Sequence, residues 1–140
     1  MTLTFRLRKH ADYQRVYKTS RKQFSRQMSY FFTLRSVEGD EPATPRIGLT
    51  VGKVMGKAVD RNRIKRRMRE AVRRNLSVLS LPVDVVLHPK RSVINLDFAI
   101  LDREIAQIFT TIQRSAEEST SKQQRTPQTV PPSVPSPAAQ

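Results

Sequence analysis

The residues of this chain best suited to chemistry are the arginines and lysines of one segment, 61–74, which holds eight basic side chains and one acid, Glu70. At 100° per residue the apolar residues of this segment form one stripe, as on the core-facing side of a helix. Several basic residues are four positions apart, where like charges repel by about 0.2–0.5 kcal/mol per pair. A polyanion would relieve this repulsion, and the planar guanidinium group suits phosphate oxygens. The apolar stripe consists of Ile64, Met68, Ala71 and Val72.

Two other interpretations of this basic segment stay open. A run of charges is often a solvated helix face or a disordered basic arm. The apolar stripe argues against a disordered arm, and the shortage of acidic partners argues against an idle solvated face. We therefore favour an interface for nucleic acid.

The composition of the whole chain favours the same partner. The 140 residues contain 26 Lys and Arg against 12 Asp and Glu, a formal net charge of +14, and residues 1–35 form a second positive region. Such a charge makes nucleic acid the default partner. No stretch approaches the roughly 20 apolar residues of a membrane span, and the N-terminus lacks the apolar core of a signal peptide. We expect a soluble, cytoplasmic protein without a membrane partner.

The residues that usually bind metals are scarce. The chain has no cysteine, which excludes disulfides, thiol nucleophiles and cysteine-based zinc sites and is compatible with a reducing compartment. His10 and His88 each lack a carboxylate or a second histidine at ligand spacing. No metal site is predicted in the protein.

The apolar periodicity predicts an α+β fold. The order α-β-β-β-α-β-α corresponds to a small mixed four-stranded sheet with three helices. Asp60 and Asp97 are suitable N-caps for the second and third helices. The helices are expected at 10–18, 60–76 and 97–113, and strands at 28–36, 46–52 and 83–88.

The chain divides into two parts by composition. Residues 1–118 are predicted to form one RNA-binding domain. Residues 119–140 contain five of the nine prolines and no aromatic residue, which predicts a disordered tail.

One face of the predicted sheet offers a candidate site for a nucleotide base. If the strands at 28–36 and 46–52 pair, one face is apolar and the other surrounds Phe31 with small residues. An exposed aromatic ring can stack an unpaired base, worth about 1–3 kcal/mol. The alternative is that another helix or the tail covers Phe31. The small residues are Ser29, Thr33, Gly48, Thr50 and Gly52.

Tyr13 and Tyr17 likewise could belong either to a core or to a ligand-binding surface. Aromatic residues at i and i+4 on a helix are more often part of a core than of a ligand platform. Their hydroxyl groups, however, favour a wet edge. A partly exposed groove wall is therefore a plausible position for both residues.

Several motifs of the chain resemble the bacterial ribonuclease P protein family. The similarity covers about residues 5–115. The motifs are Arg61-Asn62-Arg63-Ile64-Lys65-Arg66-x-x-Arg69-Glu70, the preceding Gly48-Leu49-x-Val51 and Gly56-x-Ala58-Val59, the first-helix run 12–18, the strand entry Arg26-Gln27 and the last-helix start Leu96-Asp97-Phe98.

This resemblance implies a protein that assists a catalytic RNA, the RNase P RNA, in removing the 5′ leader from precursor tRNA. The RNA and its Mg²⁺ would hydrolyse the phosphodiester, so no catalytic residue is expected in the protein. The family's basic helix binds the RNA, lies in a left-handed crossover, and is accompanied by a leader cleft between the first helix and the sheet. By position, the RNA-binding residues are Arg61, Asn62, Arg63, Lys65, Arg66 and Arg69, and the leader-binding residues are Tyr13, Tyr17, Phe31, Thr50 and Lys53.

Two rival functions stay open from the residues alone. The first is a structural RNA-binding protein of ribosomal type, which would need no cleft for a single strand. The second is a protein-only nuclease, which would need clustered carboxylates for Mg²⁺. The acids are scattered, and Asp60, Asp84 and Asp97 each have a capping or strand role available. No protein partner is predicted.

Overall fold

The computed structural model describes residues 6–7, 9–37, 39 and 43–129, with only the backbone described for 121–129. Over these residues the chain forms three α-helices, four strands and three short 3₁₀ turns, which confirms the predicted α+β class. The elements are α1 His10–Thr19, β1 Gln23–Phe24, β2 Met28–Leu34, β3 Arg46–Leu49, α2 Ala58–Asn75, β4 Val83–Pro89 and α3 Phe98–Thr129, with 3₁₀ turns at Lys53–Met55, Leu76–Val78 and Arg91–Asn95.

The sheet has the strand order β1-β2-β4-β3. β2 runs antiparallel to β1 and β4, whereas β3 runs parallel to β4. The direct pairing of β2 with β3 that the sequence suggested is therefore wrong. β4 lies between them because its run Val83–Leu87 is buried on both faces, and such a strand belongs at the centre of a sheet.

The helices cover the two faces of the sheet unequally. α2 and α3 pack on one face around a core that contains Met28, Tyr30 and Val85, and all four residues of the predicted α2 stripe are buried there. α1 lies on the other face, where Val16 packs with Leu7 and Val86 in a smaller cluster. The α2 helix and the α1 helix are thus separated by the sheet.

The start of α2 differs from the prediction that Asp60 caps it. The helix begins at Ala58, and the capping position is Lys57, which makes no side-chain cap bond. Gly56 has φ +122°, in the left-handed region, so it ends the preceding 3₁₀ turn and allows the helix to begin directly afterwards. Asp60 instead lies in the first turn, where its charge still favours the helix N-terminus.

The last helix has the predicted cap but is longer than predicted. Asp97 Oδ1 accepts a hydrogen bond from the Ala99 amide at 3.0 Å, as expected of an N-cap. The helix passes the expected end at Gln113 and continues to Thr129, and Ala116 extends its buried stripe beyond the predicted end. The division at residue 118 stays a prediction, and 130–140 of the predicted tail lie outside the described residues.

The connection from β3 to β4 contains the basic helix. The two strands are parallel neighbours, and α2 joins them, so this unit is a parallel crossover. Its left hand, implied by the resemblance, stays a prediction.

A buried carboxylate on β4 joins α1 to the sheet. Asp84 is 0% exposed, and its two oxygens accept hydrogen bonds from Nε and Nη2 of Arg46, both at 2.8 Å. Arg35, just after β2, donates at 3.2 Å, and Arg15 of α1 also binds this carboxylate. Asp12 of α1 contributes a second acid, 3.0 Å from Arg15 and 3.5 Å from Arg46.

We expect Asp84→Asn to destabilise the fold strongly. The substitution leaves three guanidinium groups without their shared counter-charge in a buried site, and breaking a buried ion pair costs about 3–5 kcal/mol. The free energy of unfolding from urea titration measures this loss. Asp102→Asn is the matched control, because Asp102 pairs with Arg74 at 3.2 Å on a partly exposed surface, where a pair contributes about 0–1 kcal/mol. Equal losses in the two variants would contradict the prediction.

Candidate RNA interface

The basic residues of α2 fall into two groups according to their partners. Arg67 donates to the carbonyl oxygen of Val93 at 3.0 Å and also to that of Leu96, so it ties α2 to the segment before α3. Arg73 pairs with Glu70 on the same helix, with its Nε 3.1 Å from Oε1, and Arg74 pairs with Asp102 of α3. These three arginines serve the protein's own structure.

The other cations of α2 are those that the sequence predicted to bind RNA. Their side chains make no hydrogen bond or ion pair with any residue that the structure describes. Nε of Arg61 is buried and has no hydrogen-bond partner within the described part of the chain. A buried N–H group left unpaired costs free energy, so an acceptor from outside the chain would stabilise it. We call this set, with Asn62, the α2 basic surface: Arg61, Asn62, Arg63, Lys65, Arg66 and Arg69.

A groove of about 670 Å³ connects the α2 basic surface to α1. Its floor is β3, and Arg6 and Leu7 close one side, where the amide of Leu7 donates to the carbonyl oxygen of Ile47 at 2.9 Å. Glu70 is the one acid in its lining, and it is paired with Arg73. The cations that line it are Arg6, Lys65, Arg66, Arg69 and Arg73.

The face of the sheet opposite α2 holds a second site, which we call the α1 cleft: Tyr13, Tyr17, Phe31, Thr50 and His88. The hydroxyl oxygen of Tyr17 lies 3.0 Å from Nε2 of His88 and 3.5 Å from the hydroxyl oxygen of Thr50. The Tyr17 and Phe31 rings meet edge to face, with centroids 4.9 Å apart. The structure therefore brings together three of the five predicted leader-binding residues.

Phe31 is neither fully exposed nor covered. Its ring is half-buried, with Tyr17 along one edge and the His88 ring at 5.5 Å. The expectation of a lone aromatic among small residues was wrong, because α1 places Tyr17 against it. The exposed part of the ring is still available to a base that enters beside Tyr17.

Tyr13 occupies a different part of the cleft. Its ring lies on Gly48, where a Cβ atom would be only 2.5 Å from the hydroxyl oxygen and 2.7 Å from Cζ. The hydroxyl donates to the carbonyl oxygen of Leu7 at 3.3 Å. Burial raises the pKa of Tyr13, with a smaller contribution from Tyr17, so this hydroxyl stays a neutral donor. Gly48 is thus covered, contrary to the open surface expected there, and Tyr13 borders the groove.

Lys53 lies at the rim of the site. It is exposed in the turn Lys53–Met55, and its side chain makes no hydrogen bond, ion pair or cation–π contact with the described residues. Lys53 is therefore not in contact with the aromatic residues of the α1 cleft. Its free ammonium group lies on the chain shortly after Thr50, whose amide donates to the carbonyl oxygen of Leu87 at 3.0 Å.

His88 is the cleft residue that sequence reasoning missed. It was considered only as a metal ligand, but strand alternation places it on the same face as Val86. The register pairs Phe31 with Val86 and Ser29 with His88, which brings His88 beside Phe31. The alternation of β4 could have predicted this position of His88, but only together with the pairing of β4 with β2.

The carboxylates of the cleft side are already occupied. Asp12 and Asp84 both bind arginines. Among the described residues no group of three or more histidine, aspartate or glutamate side chains could hold a metal ion. No described helix is long and apolar enough to cross a membrane.

The fold and the two surfaces define a class of protein: an α+β RNA-binding protein with unpaired cations on one side of its sheet and an aromatic cleft on the other. The ribonuclease P family model matches residues 1–113. The ribonuclease P protein component of Carboxydothermus hydrogenoformans is 32% identical over 113 residues, covering 81% of this chain and 95% of the relative. That of Finegoldia magna is 35% identical over 108 residues, covering 77% and 90%.

Solved structures agree with this match. The RNase P protein of Staphylococcus aureus superposes with a TM-score of 0.64 at 25% identity, covering 79% of this chain and 96% of that one. The Thermotoga maritima protein, at 24% identity and a TM-score of 0.65, shares the fold over 76% of this chain and 96% of its own. The chain belongs to the ribonuclease P protein family. It is accordingly the protein subunit of a ribonucleoprotein endoribonuclease of tRNA processing, and its partner is the RNase P RNA.

We expect His88 to make the stability of the fold depend on pH. Burial, helped by the charge of Lys22, lowers the pKa of His88 below its ordinary 6.5. The unfolded chain therefore takes up the proton more readily, so stability is intact above about pH 6.5 and decreases as the pH falls towards the lower folded value. Urea titrations between about pH 7.5 and pH 5.5 measure this decrease.

His88→Gln should remove part of that decrease. His10→Gln is the control, since His10 is exposed at the start of α1. The prediction fails if His88→Gln and the unsubstituted protein lose stability in parallel as the pH falls.

Proposed function

We propose that the α2 basic surface binds the RNase P RNA and that the α1 cleft binds the single-stranded 5′ leader of precursor tRNA. The observation that carries this proposal is the division of the α2 cations into structural ones, with protein partners, and the set that has none among the described residues. Cations without internal partners are available for phosphates, and their binding releases counterions from the RNA.

The α1 cleft suits a single strand better than a duplex. Bases in a duplex are stacked on each other, whereas the unpaired bases of a single strand can stack on aromatic rings. The partly exposed Phe31 ring offers such a surface, and Tyr17, Thr50 and His88 offer neutral hydrogen-bonding groups beside it. Binding energy from the leader would favour precursor tRNA over mature tRNA, which has no leader.

We assign the hydrolysis to the RNA and its Mg²⁺. Asp12 and Asp84, the acids nearest the cleft, are bound by arginines and do not fit a Mg²⁺ site. The protein's part is to hold two RNA molecules in a fixed relation, in the cytoplasmic setting expected from the sequence.

A structural RNA-binding protein without a processing role is the second candidate function. It would use the α2 basic surface in the same way but would gain nothing from the α1 cleft. The contribution of Phe31 to substrate choice therefore distinguishes the two functions.

We expect Arg63→Ala to weaken binding of the RNase P RNA and to reduce its salt dependence. If Arg63 contacts one phosphate, the slope of log affinity against log salt concentration becomes shallower by about one unit. Binding titrations at several salt concentrations give this slope. Arg114→Ala is the matched control, because Arg114 is exposed on α3 and also has no partner among the described residues. An unchanged slope for Arg63→Ala would place this residue outside the interface.

We expect Phe31→Ala to reduce the preference for substrates with a leader. Loss of one stacked base should weaken binding of a precursor with a long leader by about 1–3 kcal/mol and leave binding of mature tRNA unchanged. Dissociation constants of the reconstituted holoenzyme for both RNAs measure this preference.

Phe32→Ala is the control for Phe31→Ala. It removes a similar half-buried ring from the same strand, but from the core face. Both variants are compared at a temperature where they are folded. An equal effect of the two substitutions on leader preference would favour the purely structural RNA-binding protein.

A further inference from the structure

β1 carries an aromatic residue that neither the core nor the α1 cleft uses. Phe24 is 72% exposed, an unusual state for a phenylalanine. The turn that follows it is fixed from α3, because Glu104 accepts hydrogen bonds from the Ser25 hydroxyl and, at 2.8 Å, from the Gln27 amide. Phe24 is therefore held at the edge of the sheet by an anchored turn.

The strand register places Phe24 on the same face of the sheet as the α1 cleft. Phe24 is the partner of Ser29 on β2, and Ser29 is in turn the partner of His88 on β4. Directly paired residues of neighbouring strands point to the same side of a sheet. Phe31 follows Ser29 by two positions and shares this side. The Cα atoms of Phe24 and Phe31 are thus about 8 Å apart, one strand spacing across and two residues along.

A lysine lies between this aromatic and the cleft. Nζ of Lys22 is 5.6 Å from the centre of the Phe24 ring. The same charge is close enough to His88 to contribute to the lowering of its pKa. Lys22 therefore lies against Phe24, on the strand edge next to the cleft.

The surrounding charges suit a polyanion. The described residues from Ser20 to Gln27 contain Arg21, Lys22 and Arg26 and no acid. Lys90 joins them, since its ammonium group donates to the carbonyl oxygen of Arg26 at 3.2 Å. The nearby Glu104 is buried and bound to the turn. A second copy of this chain would bring an equally basic edge to this surface, which favours RNA as the occupant.

We propose that Phe24 and Lys22 form a second nucleotide-binding position, at which one base of the leader stacks on Phe24 beside the nucleotide held at Phe31. Lys22 binds the phosphate that links the two nucleotides. This inference rests on the proposed function of the α1 cleft and extends it across β2 to the β1 edge. The leader then crosses the sheet face from the α1 side to β1.

The test uses precursor tRNAs whose leaders lengthen by one nucleotide at a time. Dissociation constants are measured for holoenzyme reconstituted from the full chain and its RNase P RNA. Each nucleotide that finds a binding position should increase affinity. Phe24→Ala should abolish the gain in affinity at one step, a gain of about 5- to 150-fold. Phe31→Ala should abolish the gain at a different step.

Two conservative variants separate stacking from general apolar contact. Phe24→Trp keeps an aromatic face and should retain the gain, whereas Phe24→Leu keeps apolar area only and should behave as Phe24→Ala. Lys22→Gln should make the salt dependence shallower for long leaders but not for substrates without a leader. Because Phe24 and Lys22 are exposed, these variants are expected to fold as the unsubstituted protein does.

The outcomes distinguish the two levels of the proposal. If Phe24→Ala retains the affinity gain for every added leader nucleotide and Phe31→Ala loses one of these gains, the second nucleotide position is overturned, but the leader-binding role of the α1 cleft is supported. If neither variant changes any step, the leader-binding function of the cleft fails as well. If Phe24→Ala keeps every step but alters the sedimentation behaviour of the protein, the β1 edge is a contact between copies and the inference is overturned.

Discussion

The burial of Asp84 among three arginines is the constraint on which the arrangement of this molecule depends. The carboxylate lies near the start of the central strand β4, and its arginines come from α1, from just after β2 and from β3. The Asp84 carboxylate therefore fixes the position of α1 over the strands that this helix crosses. The α1 cleft exists because α1 is held at this end while Tyr17 meets Phe31 and His88 further along. In a chain with a net charge of +14, one buried carboxylate is shared as the partner of several guanidinium groups.

Because the chain has few acidic residues, the arginines that stabilise the fold differ from the cations that remain available to RNA. Arginines near Asp84, Asp12, Glu70 or Asp102 are bound by these acids, and Arg67 is bound by backbone carbonyl groups. The side chains of the cations in the α2 basic surface make no ion pair within the described part of the chain, and Glu70, which lines the same groove, is paired with Arg73. The surface available to phosphate is thus the part of α2 whose cations have no acidic partner. A buried donor such as Nε of Arg61 adds a preference for an acceptor from a partner.

The sequence predicted the helices, the strands and their buried faces better than it predicted which strands pair with each other. The apolar stripe of α2 depends on local periodicity, so its four buried residues were correctly predicted. The pairing of β4 with β2 and β3 depends on contacts distant in sequence, and a buried run such as Val83–Leu87 has no alternation that would assign a partner. His88 was missed for this reason, and Phe31 was expected to be more isolated than it is. The separation of Arg67, Arg73 and Arg74 from the other cations likewise depends on tertiary partners.

The protonation states of the cleft determine how a strand can lie in it. Burial raises the pKa of Tyr13 and lowers that of His88, so the floor is neutral near pH 7 and offers rings and neutral hydrogen-bonding groups. The cations stand at the rim, with Lys22 on the β1 side and Lys53 after β3. A neutral aromatic floor suits bases, and a charged exposed rim suits phosphates, which keep contact with water and salt. A single strand would therefore enter with its bases inward and its backbone along the rim. A duplex cannot adopt this orientation, because its bases are paired and stacked on each other.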